Sequence, residues 1–136
     1  MTSRPGGYEG RRENMKMGYE SRVYVVNVHR HPEIKSAVYA EIIAVVNMCK
    51  IDYDSGWHDL FTTSIDYKLF KDDGNTEFDI DEYGDHMKSC PVENVIEWLE
   101  MQMQHDNYRR LPMLYGLLKC FTTDAWRNVE IVHYGY

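Results

Sequence analysis

Residues 129–134 read VEIVHY, and the place this run takes decides the fold. The run is β-branched and apolar, which makes it a strand, and it follows two helical segments. An exposed apolar strand is costly, so a strand arriving after two helices returns to a sheet that earlier parts of the chain have begun. That sheet starts at residues 21–29, SRVYVVNVH, a run with apolar residues on both faces that belongs inside a sheet rather than on its edge. Pro32 stops it.

Working inward from both ends fills the order. Residues 38–51 give two signals: Val38, Ile42, Val45 and Cys49 fall at helical spacing, while Ile42-Ile43 and Val45-Val46 favour a strand. The expectation is a helical or irregular start and then a strand over residues 41–49, paired with the first strand through the connection at 31–36. Asp54-Ser55-Gly56 is turn chemistry, with Asp54 or Ser55 capping a short helix that holds Trp57, Leu60 and Phe61. Residues 64–71 alternate, Ile65, Tyr67 and Leu69 against Asp66, Lys68 and Phe70, and so form a strand. Asp73-Gly74-Asn75 supplies a hairpin turn, and residues 77–81 return as its partner.

Ser89-Cys90-Pro91 opens the clearest helix, with Pro91 at the first helical position and Glu93 complementing the dipole. Val92, Val95, Ile96, Leu99 and Met103 form its buried stripe, and Asp106-Asn107 ends it. A second helix begins near Leu111-Pro112 with Leu114, Leu117, Leu118 and Phe121 inward, and Thr122-Thr123-Asp124 breaks it. The order β, β, short α, β, β, α, α, β predicts an α+β fold, one mostly antiparallel sheet of about five strands with the two main helices on one face.

At 136 residues, 43% hydrophobic and 27% charged, the chain has the size and composition of one globular domain. Residues 1–16, rich in Gly, Arg and Glu, read as a flexible extension, and residues 17–136 as the single domain. No run of eighteen apolar residues marks a membrane span, and the N-terminus has no apolar region of a secretory leader. Cys49, Cys90 and Cys120 are odd in number and far apart, which fits ordinary thiols in a reducing cytoplasm.

The net charge of −7 is unevenly placed. Residues 72–106 hold eleven acids and one base, Lys88, about −10 in all, so the remaining 101 residues carry roughly +3. Seven of these acids, Asp72, Asp73, Glu77, Asp79, Asp81, Glu82 and Asp85, crowd the stretch DDGNTEFDIDEYGD. Glu93, Glu97 and Glu100 follow on the outer face of the first helix. Such a surface repels phosphate, which argues against direct nucleic-acid binding there, and its natural complement is a basic protein.

Other chemistries find less support. A calcium loop begun at Asp79 meets Tyr83 at position 5 and Cys90 at position 12, and one begun at Asp73 meets Phe78 where glycine is required. His29, His31 and His133 would form a zinc-like set if their strands met, but no HxxxH or HExxH spacing supports it. No GxSxG, P-loop or GxGxxG occurs in a strand context. The basic island Tyr108-Arg109-Arg110 either pairs with Asp106 or caps the preceding helix. The terminal His133-Tyr134-Gly135-Tyr136 is either a surface anchor or the finish of the sheet.

Five short strings stand in order along the chain: Met17-Gly18-Tyr19-Glu20-Ser21-Arg22, Asp72-Asp73-Gly74-Asn75-Thr76-Glu77, Glu82-Tyr83-Gly84-Asp85, Tyr108-Arg109-Arg110, and His133-Tyr134-Gly135-Tyr136. Together they resemble a largely uncharacterised family of short proteins encoded in phages and prophages of low-GC bacteria, over residues 17–136. The resemblance implies a phage accessory protein acting on a host system. By analogy, an anti-CRISPR-like role follows, occlusion of a basic nucleic-acid groove by a small acidic domain.

The leading expectation is therefore a non-enzymatic inhibitor in the host cytoplasm, with neither cofactor nor metal. Its partner-binding residues would be the seven hairpin acids and the three helix glutamates, acting as one acidic face. The partner would be a host protein with a basic surface, such as a CRISPR nuclease. The alternatives are a metal-dependent or small-molecule-acting enzyme using the histidines and acids, and a structural or oligomeric phage component.

Overall fold

Strand β1 (Ser21–Arg30) is apolar on both faces, and the chain covers both. The computed structural model describes residues 20–31, 33 and 37–135; the expected extension at 1–16 lies outside them. The main sheet contains, besides β1, β2 (Ala37–Asn47), β3 (Thr63–Ser64), β6 (Lys88–Pro91) and β7 (Val129–Gly135). Its order is β2–β1–β7–β6–β3, with every neighbour antiparallel. The VEIVHY run thus lies at the centre, paired with β1 on one side and β6 on the other.

Successive residues of a strand face opposite sides, and this alternation builds two cores. Val23 and Val25 of β1 and Ile131 of β7 meet the buried stripes of α1 (Val92–Gln102) and α2 (Arg110–Lys119), with Trp57, Met48 and Ile51 between. Tyr24, Val26 and Val28, with Val132, face the other way onto Ile65, Tyr67, Leu69 and Met87. The fold is α+β in three layers: the two helices, the sheet, and a hairpin of β4 (Leu69–Phe70) and β5 (Glu77–Phe78).

Several elements depart from expectation. The hairpin forms its own two-stranded sheet rather than extending the main one. Its place in the five-strand count is taken by β3 and by β6, whose Lys-Ser-Cys-Pro has no readable period. The alternation at residues 65–70 still sets burial, with Ile65, Tyr67 and Leu69 inside and Asp66, Lys68 and Phe70 outside. β2 is a strand from Ala37 onward, because the β-branched pairs outweigh the helical spacing. Its pairing steps from Val25↔Ala44 to Val26↔Ile42, leaving Ile43 as a bulge.

Pro91 ends β6 and caps the helix in extended conformation (φ −61°, ψ 147°), so the first helical residue is Val92. Met103 closes α1 half-buried rather than within its stripe. The short helix resolves into two 3-10 turns, Tyr53–Ser55 and His58–Leu60, and the first is capped by Asp52, whose carboxylate accepts from Asp54 N. Trp57 between them is fully buried.

The backbone bond from Met48 N to Ser21 O (2.8 Å) fixes the phase of the β1–β2 ladder, so Val45 and Asn47 turn their backbone groups outward. Arg110 donates to Asn47 O at 2.6 Å, and the Tyr108 hydroxyl donates to Cys49 O. The basic island therefore ties α2 to the end of β2, while Asp106 accepts from Tyr108 N. Among the described residues, no helix is long and apolar enough to cross a membrane.

Candidate functional site: an acidic hairpin beside an aromatic groove

Two turns give the hairpin its shape, and an aspartate organises each. Asp73 Oδ1 accepts from the backbone N–H of Asn75 and of Thr76 (2.8 Å each), while Oδ2 accepts from Thr76 Oγ1 at 2.6 Å. Those donors, the Thr76 hydroxyl first, hold the Asp73 carboxyl down to about 2. Asp81 is 7% exposed, and its Oδ1 accepts from Tyr83 N (2.9 Å) and Asp85 N (3.0 Å). Ile80 and His86 close this second loop as a bridge. Local side-chain caps of this kind hold a polar loop in one conformation without a helix or a long ladder.

The hairpin sits on the sheet through Leu69, Met87 and Phe78. Arg30 grips Asp66 with two bonds (2.9 and 3.1 Å), and the Tyr67 hydroxyl donates to Glu130 at 2.7 Å, fastening the approach to β4. Burial pushes the Tyr67 hydroxyl well above its ordinary range. Phe78, Tyr24 and Tyr134 pack edge to face, with centroids 5.8 to 6.3 Å apart. The Arg22 guanidinium lies 4.8 Å from the Tyr134 ring and donates to the Tyr24 hydroxyl at 3.3 Å.

Between hairpin and sheet runs an open groove of about 750 Å³. Tyr24, Phe78 and Tyr134 line it, as do Asp72, Glu77 and Glu82 from the hairpin. Three apolar residues of this groove are strongly exposed: Val45 (53%), Phe70 (39%) and Ile80 (50%). Tyr134 is pushed above its usual range by burial and then by the nearby negative charge of Glu82.

The ten acids expected on one face are divided. Asp72, Glu77, Asp81 and Glu82 line the groove, and Asp85 turns to a second cleft with Asp81. Asp73 is exposed but engaged in its turn, and Asp79 is half-buried. Glu93, Glu97 and Glu100 are exposed on α1, which packs against the opposite face of the sheet. The single acidic face is corrected to two. The cause is the alternation of β1, which sends Val23 and Val25 to the helices and Tyr24 and Val26 to the hairpin. Among the described residues no Lys, Arg or His forms an ion pair with any of the ten; the pairs there are His29–Glu41, Arg30–Asp66 and Arg30–Glu130.

The second cleft, about 360 Å³, is lined by His58, His86 and His133 together with Phe61 and Lys88. His133 stacks on Phe61 at 4.9 Å and meets the edge of His58 at 5.0 Å. Burial, then the neighbouring His58, hold His133 down to about 3. The three-histidine set considered from sequence does not form. His133 pairs with Val23, six residues along β1 from His29, or about 20 Å at strand rise. His29 instead stacks on Tyr39 at 4.3 Å. Among the described residues, no group of three His, Cys, Asp or Glu side chains stands where it could hold a metal ion.

Sequence reasoning found the hairpin wall but not the groove. Arg22 and Tyr24 read only as strand residues, and Tyr134 as part of a surface anchor or of the sheet's finish, because their convergence depends on the β1–β7 register. Phe70 carried a usable signal, being a bulky apolar residue on the polar side of an alternating pattern, whereas Ile80 falls in phase with Phe78 and gave none. No protein-family model, curated protein or solved structure matches the chain.

Proposed function

We propose that the chain is a phage accessory protein that binds a host protein and inhibits it without catalysis. Its acidic hairpin would be set against a basic nucleic-acid-binding surface, as an anti-CRISPR protein would do to a CRISPR nuclease in the host cytoplasm. One observation carries this reading. Asp72, Glu77, Glu82 and Asp85 are exposed on a hairpin locked by its own aspartate turns, and no cation of the described chain pairs with them.

Unpaired surface carboxylates on a fixed scaffold speed encounter with a basic partner and compete with phosphate for the same cations. The interaction is screened by salt over a length of about 10 Å at 0.1 M. The glutamates of α1 face the other way and take no part in this contact.

The test is binding to a purified CRISPR nuclease at low and high salt, comparing the native chain with the combined variant D72N/E77Q/E82Q/D85N. The expected result is a loss of affinity of roughly tenfold or more from either change, mainly in the association rate. An affinity indifferent to both would remove the electrostatic mechanism.

A further inference from the structure

We infer that the groove between the hairpin and the sheet is a docking site for a segment of a partner protein in which basic side chains are flanked by apolar ones. The inference rests on the function proposed above and adds the chemistry of the partner and the place of contact.

Single exposed apolar residues are common on protein surfaces and need no explanation. Val45, Phe70 and Ile80 are different because all three open on one groove, and they come from separate elements: β2, β4 and the loop after β5. They border the rings of Tyr24, Phe78 and Tyr134, and the volume of about 750 Å³ is ample for several side chains.

Charge identifies the occupant. Asp72, Glu77, Asp81 and Glu82 line the groove against two cations, Arg22 and Lys71, and none of the four acids has an ion-pair partner among the described residues. An apolar surface beside a carboxylate excludes water and strengthens its attraction for a cation. Arg22 shows that these rings accept a guanidinium, since it lies over Tyr134 at 4.8 Å. Nucleic acid and anionic membranes carry the wrong sign. So does a second copy of this chain, at −7.

The probes are labelled twelve-residue synthetic peptides titrated into the full chain: Arg alternating with Leu, Arg with Ser, and Ser with Leu. The Arg/Leu peptide should bind at least tenfold more tightly than either of the others. The double variant F70S/I80S changes exposed side chains, and an unchanged Tm verifies its fold. It should lose about tenfold affinity for Arg/Leu and none for Arg/Ser, whereas E77Q/E82Q should weaken both peptides.

Full affinity in F70S/I80S overturns the groove as the site, yet leaves the acidic-hairpin reading standing if E77Q/E82Q still weakens binding. Indifference to both variants overturns both. A native dimer that F70S/I80S dissolves assigns the groove to a second copy and overturns the proposal.

Discussion

Ser21 Oγ lies 3.0 Å from His133 Nε2, in a hydrogen bond between β1 and β7 that leaves Ser21 1% and His133 8% exposed. Trp57 Nε1 donates to the same hydroxyl at 2.8 Å, so one serine joins two strands and the loop beneath α1. Replacing Ser21 by Ala leaves two buried nitrogens without that oxygen. The expected cost is about 1–3 kcal/mol, read as a lower urea midpoint at pH 7.5 with an unchanged slope.

Acid should destabilise the fold through His133. Its folded value is about 3, against about 6.5 for the free side chain, so the fold holds the neutral ring. That stability is complete above about pH 6.5 and declines as pH falls from there toward 3, by a few kcal/mol at most. Asp73, held near 2, adds the same sign only below about pH 4, where its unfolded form begins to take up protons. Urea titrations between pH 7.5 and 4.5 should therefore show a falling midpoint in the native chain and a flatter one in H133N. A native midpoint constant across that window would contradict the buried neutral ring.

Asp81 separates charge from shape at the hairpin. Asn keeps an oxygen for the N–H groups of Tyr83 and Asp85, whereas Ala removes it. D81A should cost about 1–2 kcal/mol. It should also speed hydrogen exchange at residues 83 and 85, while D81N leaves exchange there close to native. Equal exchange in the two variants would show that the carboxylate does not hold the loop.

Two glycines should respond to alanine in opposite directions. Gly135 has φ +112°, and a Cβ there would lie 2.4 Å from Glu20 O. G135A is expected to cost about 1–3 kcal/mol. Gly116, inside α2, has nothing within 4 Å of its would-be Cβ, and G116A should gain up to about 1 kcal/mol from helix propensity. Thermal melts of both variants decide it.

What the sequence could convey was local. β-branched runs and period-two alternation place β1, β7 and the inward Ile65, Tyr67 and Leu69, because burial of one face dictates those patterns directly. Apolar residues on both faces of β1 mark a position inside the sheet, and no local pattern names the hairpin as the cover of its second face. Lys88–Pro91 escaped because a four-residue strand ending in proline carries no period. Helical spacing gathers Glu93, Glu97 and Glu100, yet the side of the sheet they occupy depends on where α1 packs, which no spacing encodes. The groove is a product of register, and register is a long-range property.

The border strand β2 is long and rich in valine and isoleucine, the kind of sequence that recruits stray strands into fibrils. Ile43 interrupts its outward row, and Arg110 occupies the carbonyl of Asn47. A newcomer thus meets a broken template with a cation at one end. Both features disfavour edge-to-edge pairing along this border.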